Sequence, residues 1–306
     1  MITVTYNGVD ITKSVTVKRC IHDMFAGDRS DYLHVRFSDI HNQWDAWSPR
    51  KGDTIRIDHK TISTGTMFVT DAARKNGLFD VWAQAAPPSG FDPQDKAWQS
   101  VWLLQIAGEI AKRHGLTLKT YGVTDQRYSY ILQSQQGDFS FLQQRARLEG
   151  CAVLIYDGCL ILYDEKYMEA MTPSETLTIG IGADYEYSDR SMDLYGSCVV
   201  ASGQYSGQYS AVNDSTRVYR PGNIGNIGSK AEAMRFAQNL LRSVNKGCFS
   251  GSIHTQILAG YAPASTVNLS NSKAPSWDGA VFIDHIRNDY GKDRSKVFFR
   301  KPLEGY

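Results

Sequence analysis

Residues 136–151 read QGDFSFLQQRARLEGC, and residues 156–165, almost adjoining, read YDGCLILYDE. In the first stretch Asp138 is placed to cap a helix N-terminus and Gly150 to cap its C-terminus. In the second, Asp157-Gly158 between apolar runs is a two-residue hairpin turn. That turn sets Tyr156 opposite Cys159 and Cys151 opposite Asp164. The two cysteines then lie roughly 17 Å apart along the ladder at ~3.3 Å per residue. A disulfide needs Cα atoms within ~7 Å, so this pair is read as free thiols. Just upstream, Trp98, Val101, Trp102, Ile106 and Ile110 recur at three- and four-residue steps, the period of an amphipathic helix, and Gly115 ends it. Two helices and a hairpin make residues 87–171 a compact α+β unit.

Both flanks read as β. In residues 1–86 short alternating runs surround the turn signals Asn7-Gly8 and Lys75-Asn76-Gly77, with strands expected at 15–22, 32–37, 54–57, 66–70 and 78–83. Such spacing suggests a barrel or sandwich. Pro87-Pro88-Ser89-Gly90 is a linker. Residues 172–306 return to β, with strands expected at 177–181, 197–202, 216–219, 250–257, 266–269, 280–286 and 296–300. Ser229 and Glu232 form a capping box ahead of a helix with Ala233, Phe236, Ala237, Leu240 and Leu241 on one face. Residues 203–213, rich in Gly, Ser, Gln and Tyr, read as a long loop.

The chain has 306 residues, 33 Lys+Arg against 32 Asp+Glu, and a formal charge of +1. That length suggests more than one domain, and the charge balance argues against a dedicated nucleic-acid binder, which needs a basic surplus. The N-terminus lacks the charged and apolar regions of a signal peptide, and no apolar run is long enough to span a bilayer. A soluble chain made in a cytoplasm is expected, with Cys20, Cys151, Cys159, Cys198 and Cys248 all reduced.

Each chemical motif has a structural explanation that outweighs it. The Gly-rich residues 221–230 resemble a phosphate loop, but the order Gly228-Ser229-Lys230 is not Gly-Lys-Ser. Ser270 with Lys273, and Ser48 with Lys51, match Ser-x-x-Lys spacing without the companion motifs of acyl-serine enzymes. Cys151 opens an apolar strand, where cysteine is an inert hydrophobe. Cys20 and His22 are expected on opposite strand faces, and His285 is expected to be a packed structural histidine. A wall glycoside hydrolase would need two acids ~5 to 9.5 Å apart, and Glu109, Glu149, Asp157, Glu165 and Asp184 are the candidates. A carbohydrate-binding module would use Trp98 and Trp102, or Tyr205 and Tyr209. No catalytic, cofactor-binding or metal-ligating residue is assigned, and no cofactor.

The order of parts resembles the tail hub family of contractile phages, including the late control protein D group and its Gram-positive prophage relatives. The carriers are AGEIAKRHGL at 107–116, the two stretches quoted first, the helix at 229–241 and WDGAVFIDH at 277–285; STGTMFVTDA at 63–72 is similar to a first-domain strand of that family. The resemblance implies an α+β, β-rich fold with two tube-like β-barrel domains, 1–86 and 172–306, around the helix-helix-hairpin unit at 87–171. It also implies a non-enzymatic homotrimer in the virion tail baseplate, or in a phage-tail-like particle, assembled in the bacterial host cytoplasm. Three subunits would supply a pseudo-sixfold ring joining the tail tube protein to the trimeric central spike protein and other baseplate proteins. The genome would pass through the channel without sequence-specific recognition, and no membrane is involved. A tail-associated wall hydrolase and a monomeric carbohydrate-binding module are the alternatives.

Overall fold

A computed structural model describes residues 2–180, 183–222, 224–257 and 259–306. Ile181, the last residue of an expected strand, and Asn223 of the Gly-rich stretch lie outside the described residues.

The N-terminal third holds β1 (Ile2–Tyr6), β2 (Val9–Asp10), β3 (Thr16–Phe25), β4 (Tyr32–Ser38), α1 (Gln43–Trp47), β5 (Thr54–His59), β6 (Ile62–Ser63), β7 (Met67–Lys75) and β8 (Leu78–Gln84). Its tight turns follow local chemistry. Asn7 and Gly8 have φ of 46° and 78°, Asn76 and Gly77 52° and 72°. Two successive positive φ values make the turn whose twist suits a hairpin, and Asn-Gly adopts them at low cost. The register follows, with Tyr6 opposite Val9 and Lys75 opposite Leu78. The short helix α1 carries Trp44 into the core, where it stacks on Phe79 and meets Tyr6 edge-on.

The middle third holds β9 (Gln94–Trp102), α2 (Leu103–Arg113), β10 (Thr117–Tyr121), β11 (Arg127–Gln136), α3 (Asp138–Leu148), β12 (Cys151–Tyr156), β13 (Cys159–Asp164) and α4 (Glu165–Glu169). The hairpin register has Tyr156 opposite Cys159 and Cys151 opposite Asp164, as Asp157-Gly158 dictates. The first expected helix is corrected. Only its second half is helical, and Trp98, Val101 and Trp102 lie on a strand paired with β11. The three-residue step from Trp98 to Val101 arises because Ser100 takes φ +48°, which breaks the alternation and buries both residues. Asp138 is likewise not the cap of α3 but its first residue, after Gly137. Its carboxylate binds Arg113 (2.7 Å), His114 (2.9 Å) and Gln133 (2.9 Å) instead. Gly150 follows the helix end with φ +74°, the left-handed position where glycine has no Cβ penalty.

The last third holds β14 (Thr176–Ile179), β15 (Tyr185–Asp189), β16 (Ser197–Ser202), β17 (Tyr205–Ser210), β18 (Val218–Tyr219), α5 (Lys230–Asn245), β19 (Phe249–Gln256), β20 (Thr266–Asn271), β21 (Gly279–Asp289) and β22 (Arg294–Arg300). At the start of α5, Ser229 Oγ accepts from the Glu232 amide at 3.1 Å, while the Glu232 carboxylate accepts from Gly228 N–H at 2.7 Å. The expected loop at 203–213 is also corrected, because residues 205–210 form β17, antiparallel to β16. A Cβ on Gly207 would sit 2.4 Å from the backbone of Ala233 and Met234 in α5. Glycine there lets the strand lie directly on the helix, a tertiary use that imitates loop composition.

One sheet unites the two β regions. Its path is β15-β19-β22-β21-β3-β4-β8-β7-β5-β1-β2, with β21 and β3 antiparallel (Ile286 opposite Met24). β20 joins through β21, and β14 through β20. No sheet among the described residues closes on itself, so the fold is β-rich α+β with open sheets.

Candidate functional site

The five carboxylates weighed for chemistry are all engaged structurally. Glu109 pairs with Lys96 and, at 3.0 Å, Arg113. Glu149 is buried, accepting from Tyr128 Oη (2.7 Å) and from Arg235 Nε (2.6 Å) and Nη2 (3.1 Å). Asp157 accepts from the Thr66 amide, Glu165 pairs with Lys246 at 2.7 Å, and exposed Asp184 pairs with His254 at 2.9 Å. All five cysteines are free. Burial raises the Cys20 and Cys151 thiols, and Cys198 is pushed up to about 11, which disfavours a nucleophilic thiolate.

Cys20 and His22 are two residues apart in one strand and so share a face, correcting the expectation of opposite faces. Both are fully buried. His22 Nδ1 meets Tyr290 Oη at 2.9 Å, and desolvation lowers its pKa to about 4. His285 is structural as expected, bonded to Asp23 at 2.8 Å and stacked between Phe25 and Phe298. Among the described residues no group of three or more His, Cys, Asp or Glu is arranged to hold a metal ion, and no helix is long and apolar enough to cross a membrane.

Trp98 is buried and stacks on Phe141, while Trp102, 45% exposed, stands apart from it at the strand end. They form no sugar platform together. Tyr205 and Tyr209 flank Gly207 and pack against the core rather than standing free. In the Gly-rich connector, Ile224 and Ile227 are buried and the Gly228 amide is taken by Glu232. Ser48 ends α1, and Ser270 lies within β20.

The structure instead builds an internal joint and a set of free edges. Arg300 of β22, 1% exposed, lies 2.5 Å from Glu169, 3.0 Å from Asp284 and 3.9 Å from Glu165. Arg242 of α5 meets Glu169 at 2.6 Å, and Lys246 meets Glu165 at 2.7 Å. The Arg242–Glu169 contact has distances of an ion pair but N–H directions too poor for hydrogen bonds, so its attraction is Coulombic. Burial opposes the charge on Glu165, but Lys246 and Arg300 outweigh it and hold the carboxyl below its usual range. α4, α5, β21 and β22 are thereby tied together. Sequence reasoning had no signal for this joint, since its members are up to 135 residues apart (300 minus 165).

Among the described residues the strand edges include β2 and β15 at the ends of the large sheet's main path, and both sides of the β9–β11 ribbon. The ribbon exposes Trp102 (45%), Tyr130 (40%) and Leu132 (56%). Unpaired strand edges carrying apolar side chains are natural pairing surfaces for other chains.

No family model and no curated protein matches the chain. Solved structures do. The 43 kDa tail protein of prophage MuSo2 from Shewanella oneidensis superposes with a TM-score of 0.76 at 12% identity, covering 98% of each chain. The tail protein from Neisseria meningitidis MC58 gives 0.75 at 12% identity, covering 98% of this chain and 95% of that one. An E. coli component of the type VI secretion system, described as structurally similar to T4 tail proteins, gives 0.63 at 11% identity, covering 99% and 78%. The chain therefore shares the fold of these phage tail and secretion-system proteins.

Proposed function

We propose that this chain is the structural baseplate hub of a contractile phage or phage-tail-like particle. It trimerises, joins the sixfold tail tube to the threefold central spike, resides in the virion tail and catalyses no reaction. Residues 1–86 and 172–306 act as two tube-like units, completed as barrels by assembly, and residues 87–171 brace them. The observation that carries this reading is a tail-protein fold over 98% of the chain, in which two β regions lie side by side through β3 and β21. Three copies of a two-unit subunit supply six units, and a closed ring follows when heterologous contacts between copies repeat with a rotation that closes.

Light scattering of the purified chain, alone and with the spike and tube proteins of the same particle, tests it. A trimer, or a complex containing three copies, supports the hub. A monomer that ignores both partners overturns it and turns attention to wall cleavage or wall-polysaccharide binding.

A further inference from the structure

A cleft of about 520 Å³ lies where β3, the edge of β6, the β12–β13 hairpin and residues 260–265 meet. Its walls are mostly apolar, including Met24, Ile62, Leu154, Ile161 and Met168. Three of the four tyrosine hydroxyls around it are engaged by backbone carbonyls, Tyr156 by Ser63 (3.1 Å), Tyr261 by Thr176 (2.9 Å) and Tyr163 by Ala26, while the fourth tyrosine, Tyr121, is 46% exposed.

One carboxylate stands in this apolar setting. Asp31 is 6% exposed, and its Oδ1 accepts from the Phe25 amide at 2.8 Å. Among the described residues its side chain has no other hydrogen bond and no ion pair, and the nearby charge that acts on it, Asp23, has the same sign. The other buried carboxylates behave differently. They have a base within 4 Å, or in Glu232 cap a helix. A buried acid without a cation is costly to a folded chain, and an acid so placed in a cleft marks a functional candidate.

We propose that the cleft receives a lysine side chain presented by a segment of a neighbouring protein of the particle, with its ammonium on Asp31 Oδ2. The apolar walls suit a four-carbon stem. Lysine fits better than arginine because a guanidinium seeks two carboxylate oxygens, and one of these is held by the Phe25 amide. This inference rests on the assembly role proposed above.

The test uses the full chain and three probes, acetyl-Ala-Lys-Ala-amide and the same peptide with norleucine or arginine, titrated by calorimetry at pH 8. The lysine peptide is expected to bind about 10-fold more tightly than the norleucine peptide, a ratio worth ~1.4 kcal/mol, and more tightly than the arginine peptide. Asp31→Asn should bring the lysine-to-norleucine ratio to about one. Thr61→Trp, at an exposed rim position, should abolish binding while leaving Asp31 in place. No preference for lysine, a preference that survives Asp31→Asn, or no saturable binding overturns the proposal. Native mass with spike and tube proteins is read separately: complex formation without lysine binding removes this inference and leaves the hub reading intact, and lysine binding without a complex does the reverse.

Discussion

Around Arg300 and around Asp31 the molecule buries charge in opposite ways. At Arg300 three acids, a second arginine and a lysine from four elements close on one another, and Phe282 lies under the guanidinium at 4.4 Å. At Asp31 a single acid faces an apolar cleft with one backbone amide for company. The first is complete within the chain and works as an internal joint. The second carries a cost that the isolated chain does not offset. The contrast teaches where to look for a partner: at charge left over after the chain has satisfied the rest.

The largest effect should come from breaking the complete site. Arg300→Met leaves Asp284 without a cation and takes from Glu165 and Glu169 one of the two that each has, and removal of one partner from a buried ion network typically costs ~3–5 kcal/mol. Urea unfolding should show that loss; a change below ~1 kcal/mol would mean that the cluster is solvated and the contrast false. Glu149→Gln, at the smaller network with Tyr128 and Arg235, should cost about 2 kcal/mol by the same measurement.

Asp31 should behave with the opposite sign. Burial raises its carboxyl to about 7, against ~3.9 in an unfolded chain. Between those values the folded chain holds a proton that the unfolded chain has released. Stability from this group therefore falls as pH rises through the window and stays lower above it. Asp31→Asn removes the ionisation, so it should stabilise the chain by up to ~4 kcal/mol above pH ~7 and by nothing below pH ~4. Unfolding midpoints that shift equally at both ends would show that Asp31 is not the titrating group. Lys246→Met is the smallest expected change, about 1 kcal/mol lost, because the lysine is part-exposed and Glu165 keeps Arg300 nearby.

Legibility followed the range of the interactions. The hairpin at Asp157-Gly158, its cysteine register, the start of α5 and the strand at 197–202 were readable because a few adjacent residues decide them. Trp98 to Trp102 was misread because Ser100 shifts a strand's alternation into a helical step, and strand partner β11 lies some 30 residues away. Tyr205 to Ser210 was misread because Gly207, a loop signal by composition, serves close contact with α5. The acids weighed for hydrolysis were visible as residue types, but their engagement with Arg235, Lys246 and Arg113 was not.

By itself, the sequence determined this protein's turns, caps and short-range pairing. Positive φ at Asn-Gly and Asp-Gly, and orphan amides at a helix start, are local demands that only a few residue types meet. The tertiary structure alone decided that β21 joins β3, that Arg300 meets the distant acids of α4, and that Asp31 meets no base. Those outcomes depend on which surfaces come together across more than a hundred residues, and burial and charge compensation exist only once they have.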